Sequence, residues 1–202
     1  EMQWSLVGSE MCIRASLTGD GDDDIDGGSG NDIIDAGGGD NLIFGGTGDD
    51  EITSGSGRDT IDGHSGDDII NAGGGQDEIT GGSGKDEING QGGADDISGG
   101  SGADTIRGGG GADDIEGGSG SDELFGNGGA DEILGGSGSD TLIGGGGNDT
   151  LQGDGDDDIL TGNGGDNTFV FNAGDSGIGA GSRDIITDFD QGDDLIDLSS
   201  FG

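Results

Sequence analysis

The sequence predicts an all-β parallel solenoid with two short-stranded parallel sheets and two nonapeptides per turn. Three observations carry this. Seventeen consecutive nine-residue units run from Thr18 to Val170 without insertion or deletion. The eighth residue of every unit is a large apolar side chain, Ile from Ile25 to Ile115 and then Leu124, Ile133, Leu142, Leu151, Leu160 and Phe169. The third residue alternates between serine and glycine from Ser65 to Gly146, so alternate units are equivalent and the structural period is eighteen.

Each unit follows G-G-x-G-x-D-x-U-x, where U is large and apolar. The fourth position is glycine in every unit except at Asp156, and the sixth is aspartate in fifteen of seventeen units, with Asn41 and Asn167 as the substitutes. The unit divides into six residues and three. The glycine-rich six suit tight loops that need positive φ. The last three, such as Thr105-Ile106-Arg107, alternate polar, apolar, polar, as in a short strand with one buried face. Stacked turns then form two parallel sheets whose eighth-position residues meet inside. Ile106 and Ile115 should face each other across the core, and Ile106 and Leu124 should stack on one sheet.

Composition narrows the chemistry. The chain has 202 residues, of which 26% are apolar, and 45 acidic residues against 5 basic ones give a formal net charge of -40. Such a chain repels DNA, RNA and anionic membranes, so nucleic acid is excluded as a partner and cations are favoured. The 56 glycines come with no proline, which excludes collagen. No apolar run approaches the length of a membrane span. Cys12 stands alone and makes no intramolecular disulfide.

One apolar side chain in nine does not offset the entropy of ordering so glycine-rich a backbone. Stacking also piles the sixth-position aspartates on one another. Calcium answers both difficulties, because it accepts six to eight oxygens from carboxylates and carbonyls in flexible geometry. Carboxylates eighteen residues apart would share ions: Asp32, Asp50, Asp68, Asp86, Asp104, Asp122, Asp140 and Asp158 along one side of the coil. Asp23, Asp59, Asp77, Asp95, Asp113, Asp131 and Asp149 line the other, where Asn41 and Asn167 keep a carbonyl oxygen but lose charge and make weaker sites. The gaps between loops set a ceiling of about 15 calcium ions, enough to leave a net charge a soluble protein tolerates.

These units resemble the hemolysin-type, or RTX, calcium-binding nonapeptide repeat over residues 18–170. The resemblance implies a right-handed parallel β-roll with calcium between turns, held by the sixth-position aspartates and by loop carbonyls such as those of Gly100, Gly102 and Asp104. It also implies a bacterial protein secreted to the extracellular space by the type I secretion machinery, unfolded where calcium is scarce and folding where it is plentiful.

The segments at either end differ from the repeat. Residues 1–17 show no nonapeptide pattern. Ser5 to Arg14 reads like the translation of a sequencing-library adapter, the alternative being a linker from a lost upstream domain, and on either reading Trp4, Met11 and Cys12 carry no function. Residues 171–202 contain D-I-I-T-D-F at Asp184 to Phe189 and D-D-L-I-D-L-S at Asp193 to Ser199. They resemble the segment after the repeats in serralysin-type metalloproteases and are expected to form a truncated C-terminal β cap. Its core would be Phe171, Ile185, Ile186, Phe189, Leu195, Ile196 and Leu198, covering the open end of the solenoid.

Other chemistries fail on the residues present. The G-x-G-x-x-G matches lack the strand and long helix of a dinucleotide site. An EF-hand start at Asp22, Asp24, Asp26 and Gly27 reaches Ile33 where the loop needs glutamate. His64 is the one histidine, too few for a zinc protease helix or a hydrolase triad, and is expected to be a solvated loop residue. On the outer surface, Phe125 and Ile143 are expected to stack, with Phe44 on the same row. The reading is a calcium-binding folding module with no catalysis of its own. The alternatives are the C-terminal part of a serralysin-like zinc metalloprotease or other secreted enzyme, or an adhesin spacer.

Overall fold

The computed structural model describes residues 3–5, 14–16, 19, 21–172 and 183–201; Met11, Cys12 and the segment 173–182 lie outside them. The chain is a parallel β-solenoid in which successive strands go alternately to two sheets, one of eleven strands and one of ten among the described residues. Every described pairing is parallel, and in the repeats the register is eighteen residues: Ile97 opposite Ile115, Ile106 opposite Leu124. The nine-residue count forces this. Each unit places one apolar residue inward and one loop at an edge, so the apolar residue of the next unit must fall on the opposite sheet.

The core is the predicted one. All seventeen eighth-position side chains from Ile25 to Phe169 are buried, joined by Ala36 and Ala72. Ile106 and Leu124 stack on one sheet while Ile97, Ile115 and Ile133 stack on the other.

The strands are longer than the three residues the sequence suggests. Most span six, as in Asp96–Ser101 and Thr105–Gly110, because the first three residues of the next unit stay in the ladder. The exceptions within the repeats are Ile33–Asp35, Glu51–Thr53, Ile69–Asn71 and the last, Thr168–Val170. The first three of these are followed by Ala36, Ser54 and Ala72 where other units carry glycine. A Cβ at the matching Gly90 would lie 2.6 Å from Asp95 Oδ2 and 2.7 Å from the Gly108 carbonyl oxygen. Where a side chain is present the strand leaves the ladder, which resumes only as single bridges between Gly38, Ser56, Gly74 and Gly92.

Beyond the repeats, Gln3–Ser5 pairs with Asp24–Asp26 and Arg14–Ser16 with Ile33–Asp35, although the nonapeptide pattern starts only at Thr18. At the other end, Ile185–Ile186 and Leu195–Asp197 add one strand to each sheet. The tail thus prolongs the coil, and the expected cap core forms only in part. Phe171 and Ile186 pack against the core, and Phe189 meets Phe169 with ring centroids 6.2 Å apart. Ile185 and Leu195 stand at the outward seventh position and are exposed, as are Phe189, Ile196 and Leu198.

Two outer-surface expectations change. Phe125 does stand opposite Ile143, and Arg107 lies 5.1 Å over the Phe125 ring. Phe44 instead lies on the other sheet, because nine units, an odd number, separate it from Phe125. There its ring lies 5.6 Å from that of His64, which is exposed as expected but belongs to the strand Thr60–Ser65 and meets Asp62.

Positive φ recurs at the second and fourth positions of the unit. Gly100 has φ +101, and a Cβ there would fall 2.2 Å from the Gly82 carbonyl oxygen. Gln91 occupies an equivalent position at φ 72. Replacing Gln91 by glycine should therefore raise the stability of the calcium-loaded protein by about 0.5 to 1 kcal/mol. Gly100→Ala should lower it by more than that, both read from denaturant unfolding midpoints.

Candidate metal centre

The sixth-position residues form two columns on the turns. The series from Asp32 to Asp158 stands where the chain passes from the eleven-stranded sheet to the ten-stranded one, as Asp104 does between Asp96–Ser101 and Thr105–Gly110. Asp23, Asn41, Asp59, Asp77, Asp95, Asp113, Asp131, Asp149 and Asn167 stand on the return turns. Apart from the half-buried Asp23, all are at most 3% exposed, unusual for side chains this polar.

Each carboxylate uses its two oxygens differently. Oδ1 accepts the backbone N–H of the sixth-position residue one turn earlier, at 2.8 Å from Asp86 to Asp104 and 2.8 Å from Asp104 to Asp122. On the other column Asp113 Oδ1 accepts from Asp95 at 3.0 Å and Asp131 Oδ1 from Asp113 at 2.9 Å. Oδ2 is buried and meets no donor in Asp50, Asp59, Asp68, Asp77, Asp86, Asp95, Asp104, Asp113, Asp122, Asp131, Asp140, Asp149 and Asp158. A buried carboxylate oxygen without a partner is costly unless a cation reaches it.

Other oxygens share the space these atoms face. A Cβ on Gly99 would lie 2.7 Å from both Asp104 Oδ2 and the Gly117 carbonyl oxygen, and one on Gly117 would lie 2.7 Å from both Asp122 Oδ2 and the Gly135 carbonyl. Acceptor therefore faces acceptor, with no backbone or side-chain N–H between them. Among the described residues no three carboxylate, imidazole or thiolate side chains converge, so a metal here would depend on carbonyls as well as carboxylates. Oxygen-only donors of mixed kind are what a hard divalent cation such as calcium takes.

Of the two carbonyls the sequence singles out, that of Gly100 points at Gly118 and that of Gly102 at Gly120, each one turn on. The carbonyl that faces Asp104 Oδ2 belongs to Gly117, the first position of the next loop, which the sequence reading did not single out.

Two further members of the columns escape the nine-residue count. Asp184 Oδ1 accepts the N–H of Asp158 at 3.1 Å, and Asp194 Oδ1 that of Asn167 at 3.0 Å. Both precede the tail strands as a sixth-position residue precedes its strand. The surviving D-x-U triplets Asp184-Ile185-Ile186 and Asp194-Leu195-Ile196 are the signal that could have found them. An exposed ladder at the fifth position runs the opposite way: Asp40 Oδ1 accepts the N–H of Arg58 at 2.8 Å, and Asp67 Oδ1 that of Lys85 at 2.8 Å.

Burial pushes these carboxyls up, hydrogen bonds from the backbone offset part of the rise, and the neighbouring aspartates add to it. Asp68, Asp77, Asp86, Asp104, Asp113 and Asp140 rise from an ordinary 3.8 to about 6. Asp158, with Asp184, Asp140 and Asp156 nearby, rises to about 7. The metal-free fold therefore holds protons that the unfolded chain releases. Its stability is greatest below about pH 4 and is lost as pH rises through about 6. In chelator, circular dichroism should show strand signal growing as pH falls from 8 to 4, and calcium affinity should fall over the same range because protons compete for the carboxylates. A metal-free signal independent of pH would contradict this.

A search of curated proteins finds no match. The family model of the RTX calcium-binding nonapeptide repeat matches residues 17–52, 44–79, 74–106, 107–142 and 143–178. These matches together span most of the chain, including the repeats from Thr18 to Val170. The chain belongs to the RTX calcium-binding nonapeptide repeat family.

Proposed function

We propose that this β-roll is a calcium-driven folding module of a secreted protein, carried out of a bacterial cell by type I export and folded in the extracellular space. The observation that supports it most is the row of buried Oδ2 atoms without donors, one per turn crossing from Asp50 to Asp158. In this reading calcium enters between turns. The sixth-position carboxylates supply charge, and carbonyls such as those of Gly100, Gly102 and Gly117 complete the shell. The ion's chemistry is neutralisation and cross-linking: it joins loops eighteen residues apart that otherwise repel.

Coupling to export follows from the same energetics. With 45 acidic residues and a sparse core, the chain without cations remains unfolded and can be threaded through a channel. Where calcium is abundant, metal binding free energy becomes folding free energy. Family membership supports secretion as the setting. A catalytic role is not part of the proposal, since RTX modules are typically non-catalytic.

Circular dichroism of the full chain tests this. Chelator at neutral pH should give a coil spectrum, millimolar calcium a β spectrum, and magnesium, which dehydrates reluctantly, a much smaller change. Replacing Asp104 and Asp122 by alanine should raise the calcium midpoint. A strand signal at neutral pH that chelator leaves unchanged would overturn the proposal.

A further inference from the structure

Asn41 replaces aspartate in the column of the return turns, and the structure determines which way its amide faces. Oδ1 accepts the N–H of Asp23 at 3.1 Å, as the aspartates accept from the turn before them. That donor fixes the amide, because the opposite orientation would aim N–H groups at an N–H. Nδ2 then takes the place where the aspartates carry their donorless oxygen. It donates to Asp59 Oδ1 at 2.9 Å, to the Gly39 carbonyl at 3.0 Å and, at 3.4 Å, to the Ser54 carbonyl. Ser54 opens the loop that carries Asp59, as Gly108 opens the loop after Asp95, where Asp95 Oδ2 has no donor. Asn41 is 3% exposed, so water does not substitute for these partners.

From this we infer that the Asn41 amide stands in for the cation between the loops ending at Asn41 and Asp59, so that this crossing closes without calcium. The inference rests on the calcium reading of the other crossings and revises the expectation of a merely weaker site. An ion there would have to displace the two amide hydrogens and would find one carboxylate instead of two. Asn167 does not share the arrangement, since among the described residues its Nδ2 reaches only the Gly165 carbonyl, at 3.5 Å.

The test is ion counting by native mass spectrometry on the calcium-saturated full chain. Asn41→Asp should bind one calcium more than the parent chain. A parent chain that takes up no calcium contradicts the calcium reading itself. A parent chain that binds calcium alongside an Asn41→Asp variant with an unchanged or lower count overturns the Asn41 inference alone. Should that variant not fold, nuclear magnetic resonance of the calcium-loaded parent decides. Slow exchange of the Asn41 side-chain amide protons supports the stand-in, and exchange at the rate of a solvent-exposed amide overturns it.

Discussion

The whole fold depends on what happens to one carboxylate oxygen per turn crossing. The stacking that buries Ile97, Ile106, Ile115 and Leu124 also brings Asp86, Asp104 and Asp122 into one column, where each Oδ1 is tied to a backbone N–H and each Oδ2 is buried among acceptors. The hydrophobic core and the charge problem are thus products of the same eighteen-residue period. A cation between turns removes the repulsion and uses the carbonyls that the tight loops expose. Without one, only protonation relieves it, and the carboxyl groups accordingly take up protons more readily than exposed ones do.

The glycines follow from the same constraint. At the first position of the unit the space beside Cα is taken by the sixth-position carboxylate and the carbonyl of the next turn, so a Cβ there collides with the atoms that would surround an ion. Ala36, Ser54 and Ala72 break this rule in three successive turns of one column, and there the strands shorten to three residues. Asn41 lies within that stretch.

Much of this was legible in the sequence, and the reasons for the remainder are specific. Ile25 to Phe169 and the aspartate columns could be read because a strict period carries the same environment from unit to unit. Asp184 and Asp194 could not be counted in, because the insertion after Val170 breaks the period while the strand pairing continues across it. Phe44 was misassigned because a spacing that is a multiple of nine but not of eighteen lands on the opposite sheet. The role proposed for Asn41 is not readable from the pattern, because whether an asparagine offers its oxygen or its nitrogen depends on its neighbours, and the Asp23 N–H claims the oxygen. The tail's apolar residues suggested a closed cap, yet pattern alone does not say whether another layer covers them.

The most direct measurement is a crystal structure of the calcium-loaded chain with anomalous scattering used to locate calcium. The account predicts an ion peak between successive loops within bonding distance of Asp104 Oδ2 and the Gly117 carbonyl, repeated along both columns. Electron density in which Asp104 Oδ2 meets a water or a protein donor, with no anomalous peak between the turns, would contradict it.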